Sequence, residues 1–135
     1  MILADTSVWV DYFSLRPGEA GRHLAGLLQL EAEVCLTGFN VTEILQGISD
    51  PGARLRMRGW LTDFPCFLPR GLETYVAAAE LFRACAARGR TVRKTLDCLI
   101  AAVAAENDLL IFHQDRDFEH LHECAGVKTY RWNPR

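Results

Sequence analysis

No stretch of this chain approaches the roughly 20 consecutive apolar residues that a membrane-crossing helix needs. Even Cys98–Ala105, which holds no polar residue, is only eight residues long, so no membrane span is expected. Met1 does not open a positively charged, apolar leader with a small-residue cleavage site, and the expected location is the cytoplasm. Cysteine occurs without a pattern: Cys35, Cys66, Cys85, Cys98 and Cys124 are odd in number and form no Cys-x-x-Cys pair. That argues against a disulfide framework or a zinc knuckle and predicts buried thiols. Neither Gly-x-Gly-x-x-Gly nor a Walker loop occurs, which speaks against dinucleotide and mononucleotide binding. Excess positive charge is missing too. With a net charge of −2 and a pI near 6.1, the global field does not draw nucleic acid.

What is present suits a folded domain. Hydrophobic residues make up 50% and charged residues 24% of 135, and that length holds one domain with a true core but is short for two. A single domain over 1–135 is expected. Ile2-Leu3-Ala4, Glu33 to Thr37, Cys66-Phe67-Leu68 and Leu109 to Phe112 read as strands, with Val127 to Tyr130 as a last edge strand. Helices are expected between them: through Trp9, Tyr12 and Phe13 with Thr6 or Ser7 as cap and Pro17-Gly18 as stop, over 19–31, and from Asn40 to Asp50-Pro51-Gly52. Others follow over 53–64, from about Glu73 to Arg88, and over 116–123, while Thr95 is the expected cap of the helix carrying Cys98–Ala105. The fold class is α/β, with a central parallel sheet of four or five strands. Right-handed crossovers would set the ends of the first and fourth strands side by side, the edge at which such sheets build their sites.

Carboxylates stand at those chain ends. Asp5 follows the first strand, Glu43 lies in the first turn of the helix after the second, Asp97 opens the apolar helix, and Asp115 with Asp117 follows the fourth strand. Each has a local structural reason: an Asx turn at Asp5, a capping box joining Asn40 and Glu43, a dipole interaction at Asp97, an N-cap at Asp115. Their convergence is harder to explain that way, because two unit charges about 4 Å apart repel by roughly 4 kcal/mol in a protein-surface dielectric. A pocket of four acids needs protons or a cation. Oxygen ligands without Cys or His select a hard ion, Mg2+ or Mn2+, and such an ion suits phosphodiester hydrolysis.

Of the 15 basic residues 13 are arginine, grouped at Arg54, Arg56, Arg58 and again at Arg88, Arg90, Arg93, Lys94. A solvated helix face accounts for most such groups, but the second leads into Asp97, and Arg93, Lys94 or Arg116 is the candidate phosphate contact. His120 and His122, two apart on a helix, point to different sides and share no metal.

Taken in order, MILADTSVWVDYF, VTEILQG, TVRKTLDCLIAA and LLIFHQDRDF resemble the PIN-domain ribonucleases and, within them, the VapC toxins of bacterial toxin–antitoxin pairs. The resemblance runs almost end to end, and the order and spacing of four individually weak motifs make it specific. It implies a three-layer α/β/α fold and a Mg2+- or Mn2+-dependent endoribonuclease, acting on tRNA or another structured RNA, that inhibits translation until a VapB-like antitoxin binds. It assigns Asp5, Glu43, Asp97 and Asp115 to the catalytic metal site, Asp117 as an additional acid on the metal or on its water, and Thr6 or Ser7 as a supporting hydroxyl. Where relatives carry a small polar residue before the fourth acid, this chain has His113-Gln114. The resemblance also implies a homodimer, and an antitoxin segment lying over Leu45, Leu55, Trp60 and Leu61, of which Leu45 reads as ordinary core. Two other readings gather acids at strand ends: a receiver-like phosphoacceptor module, and a catalytically silent PIN scaffold that only binds a partner.

Overall fold

A computed structural model describes residues 1–132; 133–135, the end of the expected domain, lie outside it. Four strands, β1 (Ile2–Ala4), β2 (Val34–Thr37), β3 (Cys66–Phe67) and β4 (Leu110–Phe112), pair in parallel in the order β3-β2-β1-β4. Register is set by the pairs Ile2 with Val34 and Ile2 with Leu110. The helices are α1 (Thr6–Phe13), α2 (Glu19–Gln29), α3 (Gly38–Gln46), α4 (Pro51–Leu61), α5 (Leu72–Ala86), α6 (Thr95–Glu106) and α7 (Arg116–Ala125).

The two-residue period of the strands sorts their side chains into two cores. Leu3, Cys35 and Ile111 face a core shared with α5, α6 and α7. Ala4, Val34, Leu36 and Phe112 face the other, shared with Val8 and Trp9 of α1, Leu24 of α2, Ile44 of α3 and Leu61 of α4. The result is three layers, helices on both faces of the sheet. α6 is buried nearly all round, from Asp97 through Ala104, as its unbroken apolar run requires. β3 forms the outer margin, two residues between Pro65 and Pro69.

Helix ends are where the structure departs from expectation. Asp5 itself, not Thr6 or Ser7, caps α1, which ends at Phe13 before Pro17-Gly18 is reached. α3 begins at Gly38 because Thr37 and Asn40 form the capping box, so Glu43 sits in the second turn, not the first. At the start of α6 the cap position is Lys94, without a side-chain bond, and Thr95 is already helical. Asp11 of α1 serves α2 from outside, accepting the N–H groups of Gly18 at 2.9 Å and Gly21 at 2.7 Å. In place of a fifth strand over Val127 to Tyr130 there is one isolated bridge, Ile111 with Thr129. Cys35, Cys85 and Cys98 are buried as expected, but Cys66 is exposed on the short edge strand.

Candidate active site

The pairing of β1 with β4 continues one residue past the strands, where the Asp5 N–H donates to the Phe112 carbonyl at 2.9 Å. Asp5 therefore leaves the sheet beside the His113–Asp117 segment. The start of α6 joins them there: Asp97, Asp115 and Asp117 each place a carboxylate oxygen within 4.8 Å of the other two. Asp5 and Glu43 stand outside that triad: the charge of Asp5 acts on Asp97, and that of Glu43 on Asp5. Burial first, then the charges of Asp5, Asp115 and Asp117, push the Asp97 carboxyl up to about 8, with partial relief from Lys94. Burial likewise pushes Asp5 up to about 6, helped by Glu43 and opposed by the Thr6 and Ser7 N–H groups and the Ser7 hydroxyl.

Asp115 behaves differently. Burial raises its carboxyl, but the Asp117 N–H at 3.0 Å and the Lys94 ammonium at 2.9 Å outweigh that and hold it below the ordinary range. Asp117, 1% exposed, turns Oδ2 toward the backbone N–H groups of Arg93 at 3.1 Å and Lys94 at 3.3 Å. It ties the approach to α6 onto the start of α7, a role that the chain's linear order does not announce. Of the expected phosphate contacts, all three exposed, Lys94 is engaged by Asp115 and Arg93 lies with Nε 3.9 Å from Asp117 Oδ1.

The two hydroxyls after Asp5 divide their work. Ser7 Oγ donates to Asp5 at 3.1 Å, and Thr6 Oγ1 donates to Glu43 Oε1 at 2.7 Å. Thr6 is in turn held by Asn40, whose Nδ2 donates to it at 3.0 Å while its Oδ1 accepts the Thr37 N–H and hydroxyl. Asn40 is fully buried, and the amide is spent on these bonds. Thr37 three residues before Asn40 was the available signal for it. His113, 8% exposed, accepts the Asp115 N–H on Nδ1 at 3.1 Å and meets Glu119 with Nε2 at 3.1 Å. Burial pushes its pKa down against the pull of Glu119, and because Nδ1 accepts, the proton of the neutral ring belongs on Nε2.

The donor set fits a hard cation. Asp97 Oδ2 is buried and has no hydrogen-bond partner; among the described residues only Glu106 Oε2 shares that condition, and there the Thr74 hydroxyl supports the other oxygen. A buried, unpartnered carboxylate oxygen amid other acids is costly unless a proton or a cation answers it. Oxygen-only ligation points to Mg2+ or a similar ion. The residues expected to receive an antitoxin are less uniform: Leu55 is exposed, Trp60 and Leu45 are half-buried, and Leu61 is buried, which removes it from any docking surface.

Comparison with known proteins agrees with this geometry. The PIN domain family profile matches residues 2–123. The chain is 35% identical over 130 residues to the VapC ribonuclease Mb1587 of Mycobacterium bovis and, equally, to ribonuclease VapC11 of Mycobacterium tuberculosis, over 96% of this chain and 97% of each relative. Its fold is similar to FitAcB from Neisseria gonorrhoeae, with a TM-score of 0.72 at 21% identity over 99% of this chain and 98% of that one. It is similar also to VapBC2 from Rickettsia felis bound to a DNA fragment, with a TM-score of 0.74 at 14% identity over 98% and 100% of the two chains. By sequence and by fold, the chain belongs to the PIN-domain family, on its VapC branch.

Proposed function

We propose that this chain is the toxin of a toxin–antitoxin pair, an endoribonuclease that hydrolyses RNA phosphodiester bonds with the help of Mg2+, or Mn2+ in its place. The observation that carries the reading is the buried, unpartnered Asp97 oxygen among converging acids. What supports it further is the identity to ribonucleases over nearly the whole chain. Asp97 and Asp115 would hold the ion together with the neighbouring Asp5, while Glu43 would stand at its margin, as would Asp117, whose Oδ2 is taken by the Arg93 and Lys94 N–H groups. When bound, the ion supplies positive charge that favours hydroxide over water and steadies the leaving oxygen.

The protein's own groups do the positioning. At neutral pH Asp97 would have a proton to give up to a cation, whereas Asp5, pushed up only to about 6, and Asp115, beside Lys94 and the Asp117 N–H, are already largely ionised. Thr6 holds one oxygen of Glu43 and leaves the other to accept a proton from water. Arg93 and Arg116, exposed beside the acids, neutralise the RNA backbone.

The proposal extends to tRNA or another structured RNA as target, to inhibition of translation, and to a cytoplasmic setting; no described helix is long and apolar enough to cross a membrane. The similar fold of a toxin–antitoxin complex from Klebsiella pneumoniae, with a TM-score of 0.70, and of VapBC2 supports a VapB-like antitoxin as partner. Asp97→Asn is expected to lower RNA cleavage by at least about a thousandfold with far-UV circular dichroism unchanged, and EDTA to do the same to the parent. Cleavage by purified Asp97→Asn at the parent's rate would overturn the proposal.

A further inference from the structure

Asp115 also lines a cavity of about 650 Å³, within the roughly 300–1,000 Å³ range of small-molecule sites. Asp115 belongs both to this wall and to the acidic triad, so a ligand held at the triad continues naturally into the cavity. The lining charges nearly cancel: Glu19, Asp115 and Glu119 stand against Arg116 and Arg131. Such a surface does not attract a phosphate.

Its aromatic wall is instead built for a flat, neutral group. Trp132 Nε1 donates to the His113 carbonyl at 3.3 Å, and the Tyr130 hydroxyl is hydrogen-bonded to His23 Nε2 at 2.9 Å. Both rings pack on the buried Phe112, with centroids 5.0 Å away for Trp132 and 5.4 Å for Tyr130. They are held in place before anything binds. Gln114, whose Nε2 makes only a long bond of 3.5 Å to the Ser7 carbonyl, and Thr129 also line the cavity and offer an amide and a hydroxyl to a base edge. Unpaired bases of RNA are recognised in this manner, by stacking on aromatic side chains and by hydrogen bonds to their edges.

We propose that the cavity receives one unpaired nucleobase of the RNA, on a nucleotide adjoining the phosphate that lies at Asp115. This rests on the ribonuclease reading. Hydrolysis occurs at the acids, and the cavity selects which phosphate reaches them.

The test is an abasic scan. An oligoribonucleotide that the full-length protein cuts with Mg2+ is made with a single abasic site at each position around the cut, and both KM for the parent and binding to Asp97→Asn by fluorescence anisotropy are measured. One position next to the cut is expected to raise KM and weaken binding roughly tenfold or more, the loss that follows removal of one stacked base. In Trp132→Ala that penalty disappears. Trp132→Leu, which keeps apolar bulk against Phe112 without a ring, loses it too, so poor folding of the alanine variant cannot shelter the idea. RNA cut normally with a flat scan overturns the cavity assignment alone, as does a penalty that persists in folded Trp132→Leu. Failure to cut or bind any RNA overturns the ribonuclease reading and the cavity with it.

Discussion

Asp97 and Asp5 make the stability of the metal-free protein run against the usual carboxylate trend. Unfolded, an aspartate releases its proton near about 4, whereas the folded chain holds the Asp97 proton to about 8 and the Asp5 proton to about 6. Between those limits the native state binds more protons than the unfolded one, so stability falls as pH rises through the window. Asp115, whose folded pKa is lowered, acts in the opposite direction only in acid, and His113, held below its ordinary value by burial, opposes the trend up to about pH 6.5, so the fall is steepest above that. In EDTA the melting temperature is therefore expected to drop between pH 5 and pH 8.5, and millimolar Mg2+ to raise it more at pH 8 than at pH 5, since fewer protons compete with the ion. Asp97→Asn should flatten both dependences. A melting temperature that climbs from pH 5 to pH 8.5 in EDTA would contradict the burial of these acids.

At the scale of elements, α1 and α2 approach each other closely at Gly21. A Cβ on Gly21 would stand 2.8 Å from the backbone of Asp11 and of Tyr12, and backbone cannot yield as a flexible side chain can. Gly21→Ala is expected to destabilise the protein by roughly 1–3 kcal/mol. Gly26, on the same helix with nothing within 4 Å of an added Cβ, is the control: Gly26→Ala should stabilise by up to about 1 kcal/mol. Urea midpoints of the two variants would separate a packing constraint from helix propensity. The existence of α2 was readable from its apolar spacing, and that of α6 from its unbroken run. The carboxylate that serves the α2 N-terminus was not, because Asp11 precedes it on another helix and only folding brings it near. Thr37 shows the converse limit. It ends β2 and caps α3 with no linker between, so periodicity alone shifted the start of α3 and placed Glu43 one turn too early. Val127 to Tyr130 carried a strand-like pattern, yet only Thr129 pairs with the sheet.

Across the whole molecule, crossover handedness sufficed to put the ends of β1 and β4 together, and the backbone bond from Asp5 to Phe112 is that expectation in atomic form. Handedness could not foretell how the acids divide, with Asp117 clamping backbone and Glu43 held by Thr6. Nor could it show which helix is left uncovered. Leu72, Tyr75 and Val76, at 76%, 48% and 48% exposure, share one face of α5, the face we propose a second copy covers if the chain forms the homodimer that its resemblance implies. Tyr75→Glu is predicted to shift the protein from dimer to monomer in light scattering while RNA cleavage per chain persists at high concentration. A monomeric parent would rule out that use of the face.

The two prolines around β3 restrict how anything can join this molecule. An unprotected strand at the border of a sheet invites other chains to line up along it, as in fibrils. Here that border is two residues long and bracketed by prolines, and the opposite border already pairs with Thr129. Both borders thus disfavour strand-to-strand association and favour side chains meeting across helices. Contacts of that kind come apart when one charge is set into them, and at high concentration the chain should remain free of thioflavin-positive aggregates.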